Sequence, residues 1–256
     1  MLQQTQAGRV APAFLEFVRR FPTVRALAAA SRAEVLRAWA GLGYNRRAVA
    51  IHEAARAVVR DHRGVVPVEV SALRGLAGVG AYTAAAVASI GHGAPVAAVD
   101  TNVRRVGSRF LLGRNPDDVA PPVLREAIDG WLDRRDPGSW NQAVMDLGRE
   151  VCRPLPQCET CPLVSGCRLP AGARRNARPA RRRQAPFEGS MRQVRGAIVR
   201  ALRDRSPITL RELEAVTGQR RDRLAASLST LDAEGLVRAG PAALAGRPSG
   251  RIRLPD

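Results

Sequence analysis

All four cysteines of this 256-residue chain, Cys152, Cys158, Cys161 and Cys167, fall in one 16-residue stretch with the spacing C-x5-C-x2-C-x5-C. Thiols gathered this way close a loop around something, independently of the rest of the fold. The chain has no apolar run approaching the roughly 20 residues that span a bilayer. Met1-Leu2-Gln3-Gln4-Thr5-Gln6 also lacks the basic start and greasy stretch of an export signal. A cytoplasmic protein is expected, and in a reducing compartment metal ligation outranks a disulfide staple. Zinc sites usually join two close cysteine pairs, and only Cys158 and Cys161 make one here. Four thiolates strung along one loop suit a cubane [4Fe–4S] cluster better, with zinc as the alternative. Its expected role is structural, folding a loop that offers Arg153, Arg168 and backbone amides to phosphate.

Charge points the same way. The formal net charge is +18, and all 41 basic residues are arginine, with no lysine anywhere. Any mechanism that needs a lysine Schiff base is thereby excluded. The excess is uneven: 20 of the arginines but only 8 of the 23 acids lie after Cys167. Such a surplus favours a polyanionic partner, because arginine on phosphate releases condensed counterions; a general taste of the genome for Arg and Ala is the plainer reading.

The order of apolar and polar residues from Gly8 to Val151 is helical almost throughout, so the first unit is expected to be mainly α. Phe14, Leu15, Phe17 and Val18 give one helix an apolar face. Ser31 and Glu34 form a capping box before the helix of Leu36 and Trp39, which Gly41 to Gly43 breaks. A helix follows from about Arg46 to His62, and Ser139 is placed to cap the helix that runs towards Cys152. Residues 168–187 hold seven arginines, three prolines and no acid, the composition of an exposed linker. Beyond it the sequence predicts helices over Arg192–Arg203, after a Thr209–Glu212 capping box, and over Asp222–Glu234. Two short strands are expected around Val237–Arg238 and Arg251–Arg253. Three helices and a hairpin indicate a winged helix-turn-helix, whose third helix would lie in a groove; a helical module docking on protein is the other reading. The expected domains are a core over 1–151, a cysteine loop over 152–168, a linker over 169–189 and a winged-helix-like module over 190–256.

Two further motifs carry chemistry. Leu76-Ala77-Gly78-Val79-Gly80-Ala81-Tyr82-Thr83-Ala84 lies between helical stretches with the spacing of a helix-hairpin-helix turn. In such a turn glycine lets backbone N–H groups approach a DNA phosphate; alone, it is equally an ordinary helix corner. Val99-Asp100-Thr101-Asn102-Val103-Arg104-Arg105-Val106 puts Asp100 at the head of an amphipathic helix. Its simplest role is an N-cap. A carboxylate beside a DNA-gripping turn has a second role: stabilising an oxocarbenium-like sugar, or attacking C1′, as a base departs from a nucleotide taken out of the stack.

Met1 to Gln6, Gly41-Leu42-Gly43-Tyr44, the hairpin, the Asp100 segment, Asn141-Gln142-Ala143-Val144-Met145-Asp146-Leu147-Gly148 and the cysteine loop occur in the order seen in MutY-type adenine DNA glycosylases. Over about residues 1–168 the chain resembles that family, part of the helix-hairpin-helix superfamily. The resemblance implies a monomeric, nucleoid-associated base-excision-repair enzyme. It would act on double-stranded DNA containing adenine mispaired with 8-oxoguanine or guanine, and would carry a [4Fe–4S] cluster. Asp100 would then be the carboxylate that stabilises the sugar cation and forms the transient covalent intermediate. Tyr82 stands where bifunctional endonuclease III enzymes have lysine, and would hydrogen-bond near the sugar; otherwise it is a core aromatic. Leu2, Gln4, Leu42 and Tyr44 match residues inserted around the mispair, unless the last two simply pack a helix corner. Gly78, Gly80 and Asn102 would hold the DNA.

The chain departs from the family in several places. The family's general-acid glutamate lies two residues before the Met of Met-Leu-Gln-Gln-Thr, where this sequence starts, which predicts a translation start further upstream. The alternatives are a noncatalytic Fe–S DNA-binding protein or a glycosylase for another base. The first cysteine gap is one residue short, Ala77 replaces the usual proline and Asn45 a second tyrosine. The C-terminal region is too short for the Nudix-like domain that reads 8-oxoguanine, so the winged-helix tail is expected to hold DNA in its place.

Overall fold

A computed structural model of the chain describes residues 1–170, 172 and 186–256, and they are mainly α-helical. Most of the arginine-rich linker expected over 169–189 lies outside the described residues. The chain packs as two compact units, Met1–Val66 together with Arg183–Asp256, and Pro67–Arg182. This partition follows packing rather than sequence order. The helices before Val66, expected within a core over 1–151, share their hydrophobic interior with the C-terminal elements.

In the first unit, helix α1 (Ala7–Arg20) buries Val10 and Phe17, two turns apart, and leaves Phe14, Leu15 and Val18 exposed. The expected four-residue apolar face is therefore corrected. The seven-residue spacing of Val10 and Phe17 decides which stripe turns inward, and Phe17 meets Phe21 and Trp39 edge-on at 5.0 and 5.9 Å. Helix α2 is Val24–Ala29, and α3 (Arg32–Ala38) opens with the predicted box, Ser31 and Glu34 satisfying each other's backbone N–H. Trp39 then donates its indole N–H to the Gly43 carbonyl at 3.1 Å, folding the loop back before α4 (Arg46–Asp61).

The C-terminal part of this unit contains the three expected helices, α10 (Met191–Asp204), α11 (Leu210–Thr217) and α12 (Arg221–Ala233), and the Thr209–Glu212 box is present. The two expected strands become three. β1 (Ile208–Thr209) and β2 (Arg238–Ala239) each pair antiparallel with the central β3 (Arg251–Arg253), Ile208 and Ala239 both standing opposite Ile252. Ile252 is buried between exposed Arg251 and Arg253, the alternation of a strand with one face inward. A further short helix, α13 (Pro241–Leu244), lies between β2 and β3. Val194, Ile198 and Leu202 of α10 join Leu36, Trp39 and Leu42 in one cluster.

The second unit comprises α5 (Val70–Arg74), α6 (Ala81–Ala86) running into a π-helical segment Val87–Gly91, α7 (Thr101–Leu112), α8 (Pro121–Trp131) and α9 (Pro137–Glu150). Val103 and Val106 of α7 pack with Leu124 and Ile128 of α8 and Val144 of α9. Ser139 is not the cap of α9. Asp136 is, accepting the Ser139 N–H at 3.0 Å, and the helix starts earlier because Pro137 suits its first position.

Because one core spans the first unit, Ile198→Ala should destabilise α1–α4 together with α10–α12, by about 2–5 kcal/mol. Urea unfolding followed through Trp39, with Trp131 and Trp140 replaced by Phe, checks this. Loss confined to the C-terminal helices would contradict it.

Candidate catalytic carboxylate and nucleic-acid interface

In the second unit the hairpin turn and Asp100 are built by different rules. Gly78 has φ of +74°, which demands glycine for backbone reasons. Gly80 does not: it is extended, at φ −84° and ψ 177°, and a Cβ there would meet no atom within 4 Å. Nothing inside the protein requires glycine at 80, and the backbone there is open to the outside. The turn ends at Gly80, the N-cap of α6, which has no side chain to cap that helix.

Asp100 caps α7. Its Oδ1 accepts the N–H groups of Asn102 and Val103 at 2.8 and 2.7 Å, and its Oδ2 accepts the Asn102 side-chain amide at 2.9 Å. These three hydrogen bonds make Asp100 the N-cap of α7 and fix the orientation of its carboxylate. The chain reaches Asp100 along a segment pinned by buried Asn141. That side chain accepts the Ala98 N–H at 2.7 Å and donates to the carbonyls of Val96 and Pro137 and to Ser89. Tyr82 is 39% exposed, with its hydroxyl 3.5 Å from the Met145 sulfur, so it is not a core aromatic. Burial, with the nearby Asp100 charge adding to it, pushes the Tyr82 phenol above its ordinary range, which keeps it a proton-bearing donor.

Behind Asp100 the polar contacts continue. Asn102 Oδ1 accepts from Arg105, whose guanidinium also donates to the carbonyls of Gly148 and Cys152, each at 2.6 Å. A Cβ at Gly148 would lie 2.6 Å from Asn102 Cβ, so α9 must carry glycine where α7 begins. One turn on, buried Arg109 donates to the carbonyls of Arg153 and Pro154 and faces Cys152 Sγ at 3.8 Å. All four cysteines, none of them in a disulfide, line a single small pocket with Val151, Pro156, Val164 and Leu169. Burial pushes the Cys152 thiol up, and Arg109 and Arg105 pull it back. Among the described residues no group of three or more His, Cys, Asp or Glu converges on one ion. Zinc needs four sulfurs about 2.3 Å from a single point. A four-iron cluster takes each thiolate on a different iron, and four thiols around one pocket fit that ligand set. Sequence reasoning named the cysteines but missed half-buried Arg105 and buried Arg109 as anchors. Their i, i+4 spacing was the available signal, masked by the expectation that arginine is solvated.

The residues matched to mispair contacts lie in the first unit. Leu2 is 65% and Tyr44 54% exposed, whereas Leu42 is buried in the core. Among the described residues only three non-glycines have positive φ, and two of them are Gln4 and Tyr44. Backbone strain of this kind persists where surrounding contacts over-determine it. The contacts come from Arg47, which sequence reasoning also missed. It donates to the carbonyls of Met1, Gln3, Leu42 and Gly43 and to the Thr5 hydroxyl, and lies 5.5 Å over the Tyr44 ring.

A helix-hairpin-helix turn followed by a capped aspartate and a four-cysteine loop defines a class of DNA-repair fold. Residues 1–123 match the model of the HhH-GPD superfamily of base excision DNA repair proteins. The structure is similar to a thermostable thymine-DNA glycosylase, with a TM-score of 0.60 and 29% identity over 65% of this chain and 78% of that one. An adenine DNA glycosylase of Mycobacterium tuberculosis is 44% identical over 246 residues, covering 93% of this chain and 79% of that protein. The human adenine DNA glycosylase is 41% identical over 172 residues, 66% of this chain and 32% of that protein. This chain belongs to the adenine DNA glycosylase family of helix-hairpin-helix base excision repair proteins.

The two hairpin glycines should separate under mutation. Gly78→Ala is expected to cost about 1–2 kcal/mol in denaturant unfolding, since it forces a left-handed backbone on alanine. Gly80→Ala should change stability by less than about 0.5 kcal/mol. Equal losses would contradict the assignment.

Proposed function

We propose that this protein removes adenine mispaired with 8-oxoguanine or guanine from double-stranded DNA, as a monofunctional glycosylase acting as a monomer in the cytoplasm. The observation that carries this reading is the Asp100 carboxylate. Three donors hold it beside the Tyr82 phenol, next to a hairpin turn whose Gly80 is open to the outside. Among the described residues no helix is long and apolar enough to cross a membrane.

The chemistry follows from those atoms. As the N-glycosidic bond breaks, its electron pair leaves with the base and positive charge spreads over C1′ and the ring oxygen. Asp100 stabilises that cation, or closes on C1′ as an ester that water then hydrolyses, returning the carboxylate. Its oxygens are oriented by α7 before the base leaves, so little reorganisation is needed. Tyr82 donates a hydrogen bond near the sugar. No lysine is present to form a Schiff base, so the strand stays intact after the base departs. The departing adenine needs a proton. Glu16 is held by Arg19 and Glu34 by the Ser31 capping box, so neither is offered as that acid. In the resembled family that acid is a glutamate two residues before the Met-Leu-Gln-Gln-Thr motif. Gly78, Gly80 and Asn102 grip the strand, and Leu2, Gln4, Leu42 and Tyr44 meet the mispair. For Leu42 this requires leaving its buried position.

Cys152, Cys158, Cys161 and Cys167 would hold a [4Fe–4S] cluster, which when bound would cross-link the loop; buried Arg109 lines the same pocket. The chain's own contribution is to tie that loop, through Arg109 and Arg105, to the helix that carries Asp100.

The test is adenine release from duplexes containing A·8-oxoguanine or A·G, run on this chain and on one extended upstream. Release without strand cleavage, lost with Gly80→Ala through weaker duplex binding, is expected of a form that includes the acid. It should coincide with four irons per chain. Binding without release by either form would indicate a noncatalytic DNA-binding protein, release of another base a different specificity, and one zinc per chain would overturn the cluster.

A further inference from the structure

The C-terminal elements α10–α12 and β1–β3 were read as a module that holds DNA by its third helix. The surface of that helix argues otherwise. Its exposed positions include Asp222, Ala226, Ser229, Thr230 and Ala233, with no arginine among them. The arginines at its start are committed elsewhere: Arg220 to Asp222, Arg221 to Glu214 and Arg223 to the Gly189 carbonyl. What these elements do visibly is pack against the N-terminal helices, in a single core with Leu36, Trp39 and Leu42.

One polar contact crosses that core to a place that matters. Arg203, in the last turn of α10, donates its Nη2 to the Asn45 side-chain oxygen at 2.8 Å. Burial pulls the Arg203 guanidinium below its usual value, and its buried Nε has no hydrogen-bond partner. A half-satisfied buried guanidinium is a poor way to gain stability, because its desolvation is offset by only one good bond. Asn45 adjoins Tyr44, whose backbone is left-handed at φ 46°, and is the N-cap of α4, two residues before Arg47. A second contact backs the first. Arg32 of α3 fills the space beside Gly235, at the end of α12, and pairs with Glu53 of α4 at 3.1 Å.

We propose that the C-terminal module braces the loop Gly41–Asn45, with Arg203 as a positioning residue that acts through Asn45 and sets how well the chain distinguishes a mispair from a matched duplex. The second half of this statement rests on the reading that Leu42 and Tyr44 meet the mispair. Asn45, where the resembled family carries a tyrosine, supplies the acceptor that a guanidinium arriving from the C-terminal side requires.

The experiment uses the full chain with Arg203→Met, Arg203→Lys, Asn45→Ala and the Arg203→Met/Asn45→Ala double variant. Hydrogen exchange is measured over residues 41–48, and binding is compared for an A·8-oxoguanine and a matched duplex. Exchange in the loop should quicken about tenfold in either single variant, and no further in the double variant, as for partners in one contact. Arg203→Lys should restore most of the protection, since it keeps a donor. The binding preference for the mispair should fall severalfold with the loss of protection. Unchanged exchange in Asn45→Ala, which removes only a half-buried loop side chain, or additive effects in the double variant, would overturn the brace. Faster exchange with an unchanged preference would leave the brace standing and overturn the assignment of Leu42 and Tyr44 to the mispair.

Discussion

The two hydrogen bonds from the Asn102 and Val103 N–H groups to Asp100 Oδ1 are the point on which the second unit turns. They start helix α7, and they fix the direction in which the carboxylate faces. A helix N-terminus lacks partners for its first amides, so a short acidic side chain there is a local necessity. The same bonds hold the carboxylate in one orientation before any substrate arrives, which is what the proposed stabilisation of a sugar cation requires. The proposed chemistry thus draws on a structural need that helix α7 has in any case.

Arginine does the remaining work in both units. Arg105 and Arg109, one turn apart, bind α7 to the carbonyls of residues 148, 152, 153 and 154. Arg47 gathers the N-terminal segment and the Gly41–Asn45 loop around one guanidinium. A planar fork with five donors can satisfy several carbonyls at once, which a lysine ammonium does less well. In a chain without lysine, part of the large positive charge is therefore internal scaffolding rather than a DNA-facing surface.

The sequence was most informative where local rules decide the structure. The Ser31–Glu34 and Thr209–Glu212 boxes, the glycine turn at 78–80 and the cap at Asp100 depend on neighbours within three residues, and each is present. It was less informative where packing decides. Which of Phe14, Leu15, Phe17 and Val18 turns inward depends on what α1 meets, and only Phe17 is buried. The start of α9 was misread because Asp136-Pro137 competes with Ser139 for the cap and wins through the fixed backbone of proline. Arg47, Arg105 and Arg109 were hard to pick from 41 arginines, because their roles are set by carbonyls up to 47 residues away in sequence. The third strand was missed because two residues are too few to show alternation.

The most direct test of the account is single-turnover adenine release by Asp100→Asn, measured with duplex affinity and melting temperature on the upstream-extended chain. Asparagine can still cap α7, so melting and DNA binding should stay near the parent values. Release, deprived of the anionic carboxylate, should fall about 10²-fold or more. Release at the parent rate by a folded, DNA-bound variant would show that the sugar cation is stabilised by another group.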